Sequence, residues 1–311
     1  MILIAKFLFA AIVAAILVGN APAQGQERDR LPVYLAGSGN EALDQHILDL
    51  LKLNLGSQRE FILLSDKQAA LIDEAPIVTI GPGAFSRIRQ ANRKAPVLAM
   101  LATQNFLDGF TTLSPGRVSG IYYDVPLLRQ ALLGKAILPQ ATRIALLSTT
   151  GSAALYDTLI DQLQPYNLEA RLFIVDDHKQ LIPTLIRALS YGDFLLAAPD
   201  NVIYNPRTIK HILLTAYRRN RIVIGPSQAY VKAGSLASGY PSFSVMAEMA
   251  AAYLQVFFET GQFPAPDYPS DFQLEINQQV ARSMNIPLAS REQIAQAVER
   301  LLTSQEAQRD E

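Results

Sequence analysis

Six polar clusters each follow an apolar run, where the carboxyl end of a strand would open into a loop. They are Ser38-Gly39-Asn40, GPGAFS at 81–86, Tyr122-Tyr123-Asp124, Thr149-Thr150 with Ser152, Asp200-Asn201 and GPSQA at 225–229. Asp200 can pair with an ammonium group while Asn201 hydrogen-bonds beside it. Either residue can instead cap the turn before the next helix. In GPGAFS, backbone N–H groups around Gly83 at a helix start can hold a carboxylate; plain turn geometry accounts for the same Gly and Pro residues. Ser227 or Gln228 can donate a hydrogen bond to a ligand. One of Thr149, Thr150 and Ser152 caps the following helix, and another reaches the ligand. The chain has no Trp, so aromatic stacking falls to Phe85, Tyr123 or Tyr230, each of which can equally be core. Ser38, Gly39 and Asn40 complete the expected lining.

Other chemistries fit these residues poorly. A dinucleotide loop needs a third Gly where GPGAFS has Ser86, and an acidic residue ending the next strand, which VLAML (97–101) lacks. GPSQA would make Ser227 the nucleophile of an elbow, but the motif's second Gly is missing. Its histidine should follow the serine, whereas His46, His178 and His211 all precede it. The histidines are widely spaced and the chain has no Cys. Disulfides, catalytic thiols and metal centres are therefore not expected. The residues point to no enzyme, no cofactor and no metal.

The elements that must position the clusters come in two cycles. Strands at 32–37, 61–65, 77–81 and 97–101 alternate with helices at 41–55 and 84–92, and RVSGIYY (117–123) is an extended crossing. After a helix at 125–138, strands at 143–148, 170–175, 194–199 and 221–226 alternate with helices at 152–163, 178–189 and 206–219. That rhythm means parallel sheets with covered faces. The expected fold class is α/β, with two doubly wound Rossmann-like lobes. LASGYPSF (236–243), a helix at 245–261, a Pro-rich loop and the strand FQLEI (272–276) read as a trip to the first lobe and back. Three crossings make a hinge on which two lobes can close around a ligand. The expected first lobe is 24–118 plus 240–270, the second 119–239 plus 271–302, and 303–311 a flexible tail.

Residues 1–19 are apolar apart from Lys6, and Ala21-Pro22-Ala23 follows them. This reads as a secretory signal cleaved after Ala23, placing the mature chain in the periplasm; an uncleaved anchor is the alternative. Among 311 residues, half are apolar and 18% charged, with a net charge of −1. Such a chain can bury a large core, and neither nucleic acid nor an anionic membrane surface is favoured as a partner.

Four segments carry a resemblance. RVSGIYYDVPL is similar to an Asn-Val-Thr-Gly-Val first crossing, and LPQATRIALLSTTGSAA to a Leu-Pro, Lys-Arg, strand-and-loop run. FLLAAPDNVIYN resembles a strand ending in Asp-Asn, and FQLEINQQVARSMNIPL a closing strand with Asn, then Ala and Ile-Pro. Their order and spacing resemble the substrate-binding proteins of ABC transporters in the type I periplasmic-binding fold, in the family associated with tryptophan and tyrosine uptake. The likeness runs from about 117 to 302. In the first lobe, ATQNFLDGF lacks the family's Asp-Pro pair, and SDKQAALIDEA is short for its usual helix. The resemblance implies a monomer that captures an amino acid, aromatic or branched, and delivers it to an inner-membrane permease and ATPase. A sensory or accessory module of the same fold, reporting to a membrane receptor, is the alternative.

Overall fold

Strands such as IVTI and VLAMLA are almost wholly apolar, and a strand of that kind needs helices over both faces of its sheet. The computed structural model describes residues 31–56, 59–198, 200 and 202–309. In it, β1 (Val33–Ala36), β2 (Phe61–Leu63), β3 (Ile77–Ile80), β4 (Val97–Ala102) and β5 (Val118–Tyr122) form a parallel sheet in the order β2-β1-β3-β4-β5. They are linked by α1 (Glu41–Leu55), the single-turn α2 (Asp66–Ala69), α3 (Gly81–Ala91) and α4 (Gln104–Leu113). The second sheet holds β6 (Arg143–Ser148), β7 (Glu169–Ile174), β8 (Phe194–Leu196), β9 (Ile222–Ile224), β10 (Ala237–Tyr240) and β11 (Gln273–Ile276), in the order β11-β10-β9-β8-β6-β7. Its strands run parallel except for β11, which pairs antiparallel with β10. Around it lie α5 (Leu127–Ile137), α6 (Asp157–Gln162) behind a 3₁₀ turn at Thr150–Tyr156, α7 (Leu181–Tyr191), α8 (Ile209–Arg218) and α9 (Gln228–Ala233). Separate apolar clusters cover the two faces of each sheet.

The chain crosses between the lobes three times. The first crossing follows β5. Because β5 stays in the first sheet through Tyr122, the switch falls at 123–126, later than the 118/119 boundary expected from sequence. The second follows β10 and leads to α10 (Phe243–Thr260), which packs on α1. Its Met246, Leu254, Phe257 and Phe258 are buried with Val33, Leu35 and Ile47. Each such side chain contributes about 1.5–3 kcal/mol relative to exposure, which fixes α10 to the first lobe. The third is the Pro-rich stretch. There Asp267 lies beside β5, bonding Tyr122 N–H through its carbonyl and donating its own N–H to Gly120 O. The chain then enters β11 and closes with α11 (Gln278–Ser283) and α12 (Arg291–Arg309).

Three further differences from the sequence reading are physical. Helix α4 was not anticipated, although Phe106, Leu107 and Phe110 recur at helical spacing and Leu107 is fully buried. Helix α3 begins at Gly81, not 84, because Pro82 suits a first helical turn. Helix α12 runs on through 303–309, within the segment expected to fray. The signal segment and the cleavage after Ala23 lie outside the described residues.

Candidate ligand site between the lobes

The ends of β4 and β5 meet the ends of β9 and β10 at a cavity of about 180 Å³. From the first lobe and its crossing come Thr103, Tyr123 and Asp124. Pro226, Ser227 and Tyr230 come from the loop after β9 and from α9, and Tyr240 from the end of β10. Strand ends facing a gap between doubly wound lobes are where such folds bind ligands.

Local backbone geometry aims these residues. In β4 the register slips between Met100 and Ala102, and Leu101 takes φ 57°. That conformation is costly for a Leu, about 1–3 kcal/mol, and a bulge at a strand end re-aims the side chains beyond it. Here Ala102 pairs with Tyr122, and Tyr123 N–H donates to Ala102 O at 3.0 Å, setting Thr103 beside Tyr123. Helix α4 docks closely on β5, since a Cβ on Gly120 would stand 2.4 Å from Leu107 Cδ1. Thr103 and Ser227 precede α4 and α9, yet neither hydroxyl caps its helix.

The tyrosines present rings more than hydroxyls. Tyr230 Oη donates to Tyr204 O, and Tyr240 Oη donates to Gln273 Oε1 at 3.0 Å. Burial raises the Tyr230 phenol to about 12, with the Asp200 carboxylate adding to it. Asp124 is the charged group of the lining. One of its oxygens accepts Gln104 N–H at 3.2 Å. Burial pushes its carboxyl up to about 6, and the nearby Asp108 carboxylate adds to that rise against the hydrogen bonds. Asp108 is itself raised by burial while bonding Tyr122. Tyr268 packs against Tyr122 with ring centroids 4.8 Å apart and donates to Gln104 Oε1 at 2.8 Å. A second cavity of about 360 Å³ adjoins the first through Tyr123 and Tyr240, and adds His46, Gln228 and Phe243.

The residues singled out from sequence divide three ways. Tyr123, Ser227 and Gln228 line these cavities, with Gln228 Nε2 also donating to Glu275 at 3.2 Å. Others satisfy their own loops. Asn40 caps α1 by accepting Leu43 N–H, and Ser38 donates to Asp44 through both N–H and Oγ. Thr150 is bound in the same way to Asp176. Thr149 Oγ1 donates to Ser152 Oγ at 3.2 Å, its N–H faces Asp200 at 3.5 Å, and Gly83 sits exposed in the first turn of α3. Two assignments are corrected. Phe85 is fully buried, edge-on to Phe106 and Phe110, so it is core and no stacking surface. Asp200 is 3% exposed and accepts Val202 N–H at 2.8 Å and Ile203 N–H at 3.3 Å; it caps the turn instead of facing the cleft. Asn201 lies outside the described residues. Thr103 and Tyr240 were missed: Thr103 because α4 was unread, Tyr240 because it looks like one more strand residue.

No protein-family model matches the chain, and no curated protein matches it. Solved structures do. A ligand-free, open substrate-binding protein with adhesive properties from Clostridium difficile superposes with a TM-score of 0.65 at 16% identity, covering 85% of this chain and 97% of that one. An ABC domain in complex with L-Trp from Streptococcus pneumoniae gives 0.56 at 17% identity, over 86% and 98%. A conserved domain protein from Vibrio cholerae gives 0.57 at 18%, over 84% and 96%. The fold is that of the type I periplasmic binding proteins. Among the described residues, no helix is long and apolar enough to cross a membrane.

Proposed function

We propose that this protein is an exported binding protein that captures a small organic solute bearing an amino group, by closing its lobes, and delivers it to an ABC permease and ATPase. The observation that carries the reading is the cavity at the strand ends. It joins both lobes, presents aromatic rings and the Thr103 and Ser227 hydroxyls, neither of which caps its helix, and holds one carboxylate, Asp124. Such a site is apolar with a few polar groups that fix orientation, as small-molecule sites are. The resemblance to the tryptophan- and tyrosine-uptake family, and a structural neighbour that holds L-Trp, support an aromatic amino acid or a relative of one. No nucleic acid is involved, and the protein works as a monomer.

A thermal-shift screen of the chain from Gln24 tests this against amino acids, amines, sugars, purines and carboxylates. A ligand at 100 times its dissociation constant adds about 2.7 kcal/mol of stability, which is a shift of several degrees. Silence across the panel, from a folded protein free of bound solute, would sink the capture reading.

A further inference from the structure

The charge of the cavity says more about the ligand than its size does. Among the described residues, Asp124 is the formally charged residue of the lining, and no Arg, Lys or His lines the cavity as well. Tyr123, Tyr230 and Tyr240 line the same cavity. The hydroxyls of the last two are turned away to Tyr204 O and Gln273 Oε1, so their rings are what remains for a ligand. Aromatic faces attract a desolvated cation through the ring quadrupole, and a carboxylate beside them supplies the counter-charge. A ligand carboxylate finds the opposite: an anionic neighbour and no cationic partner. Leaving a charge unpaired in such a site is costly.

We infer that the natural ligand is a compact organic cation without a carboxylate, an amine or quaternary ammonium compound, bound by Asp124 within the ring of Tyr123, Tyr230 and Tyr240. This rests on the capture reading above and narrows it from amino acids to their carboxylate-free relatives. The side chain that could speak for an amino acid is His46, which lines the adjoining cavity and packs edge-on to Phe243 at 5.9 Å.

Two matched pairs test it by calorimetry on the chain from Gln24: tyramine against L-tyrosine, and choline against glycine betaine. In each pair the members differ chiefly in the carboxylate. The expected result is that at least one cation binds ten-fold or more tightly than its zwitterion. Asp124→Asn should then weaken that cation by ten-fold or more. Because Asp124 also serves α4, a second variant pair reads the rings alone: Tyr240→Phe should keep affinity within about two-fold, and Tyr240→Leu should lose five-fold or more. If a ligand binds but neither cation exceeds its zwitterion by ten-fold, the charge inference is overturned and capture stands. Failure of both cations to bind at millimolar concentration overturns it too. If the wider solute screen is also silent, capture itself has failed.

Discussion

Asp124 and Asp200 are both carboxylates just past a strand, yet their surroundings give them different work. Asp200 accepts two backbone N–H groups of the following turn and is almost fully buried. Asp200→Ala should therefore lower stability by about 1–3 kcal/mol, the cost of leaving buried donors unmet, and change ligand affinity less than two-fold. Urea denaturation and calorimetry on the one variant separate the two effects. Asp124 is raised to about 6, chiefly by burial. The folded chain thus holds a proton that the unfolded chain has lost, between the ordinary carboxylate range and pH 6. Stability of the unliganded protein should fall as pH rises through that window. Cation binding needs the ionised form, so affinity should weaken as pH drops below about 6, by up to ten-fold per unit. Calorimetry from pH 4.5 to 7.5 checks the sign; a flat profile would detach Asp124 from the ligand. The neighbours facing it are Asp108 and the tyrosines Tyr122 and Tyr268, which stay neutral across that range. Sequence alone could not separate the two aspartates, because an acceptor just past a strand serves a turn and a ligand equally well. What decides is whether the next N–H groups curl back, as those of Val202 and Ile203 do.

Elements were more legible than side-chain duties, for a physical reason. Helix α1 carries its burial in its periodicity, and the strands β3, β4 and β6 in unbroken apolar runs, so their extents could be read closely. Helix α4 was obscured by Gly109 and a pair of threonines, which lower helix propensity, while its partner surface on β5 lies outside any local pattern. Strand β10 shows a similar non-local dependence. It meets β9 only at Ala237–Ile224, which leaves its outer half without a parallel neighbour. The Gln130 side chain of α5 fills that place, accepting Gly239 N–H and donating to Gly239 O, both at 2.9 Å. Gln130 is 1% exposed, so water cannot substitute for it. Gln130→Ala should cost about 1–3 kcal/mol, the buried Gly239 N–H losing its partner while Gly239 O keeps the Ser238 hydroxyl at 3.0 Å. A shift of the urea midpoint with an unchanged slope would report it; a shift under about 1 kcal/mol would show that β10 finds other partners. Since β10 ends in Tyr240, the same variant should also loosen ligand binding.

At the scale of the molecule, the proposed capture needs the lobes to close across the strand ends, and the three crossings are the hinge it would use. A saturating ligand should compact the chain in small-angle scattering, and superimposable profiles with and without a bound ligand would count against closure. The alternation of strands and helices announced the two lobes, and the return trip through α10 was visible as a strand, a helix and a strand lacking that rhythm. What stayed hidden was the cavity, which depends on how four strand ends from distant parts of the chain converge. The third crossing has a consequence of another kind. At Asp267 it forms the outermost rim of the first sheet, with Asp267 N–H and C=O both turned inward to β5. The adjacent positions face outward. Pro266 has no N–H, and the N–H of Tyr268 is taken by Asp267 Oδ1 at 2.7 Å. A rim stripped of donors at that point leaves the carbonyls of a stray strand without partners. Pro266 thereby guards the sheet against growing into a neighbouring molecule, so this rim is a built-in brake on aggregation.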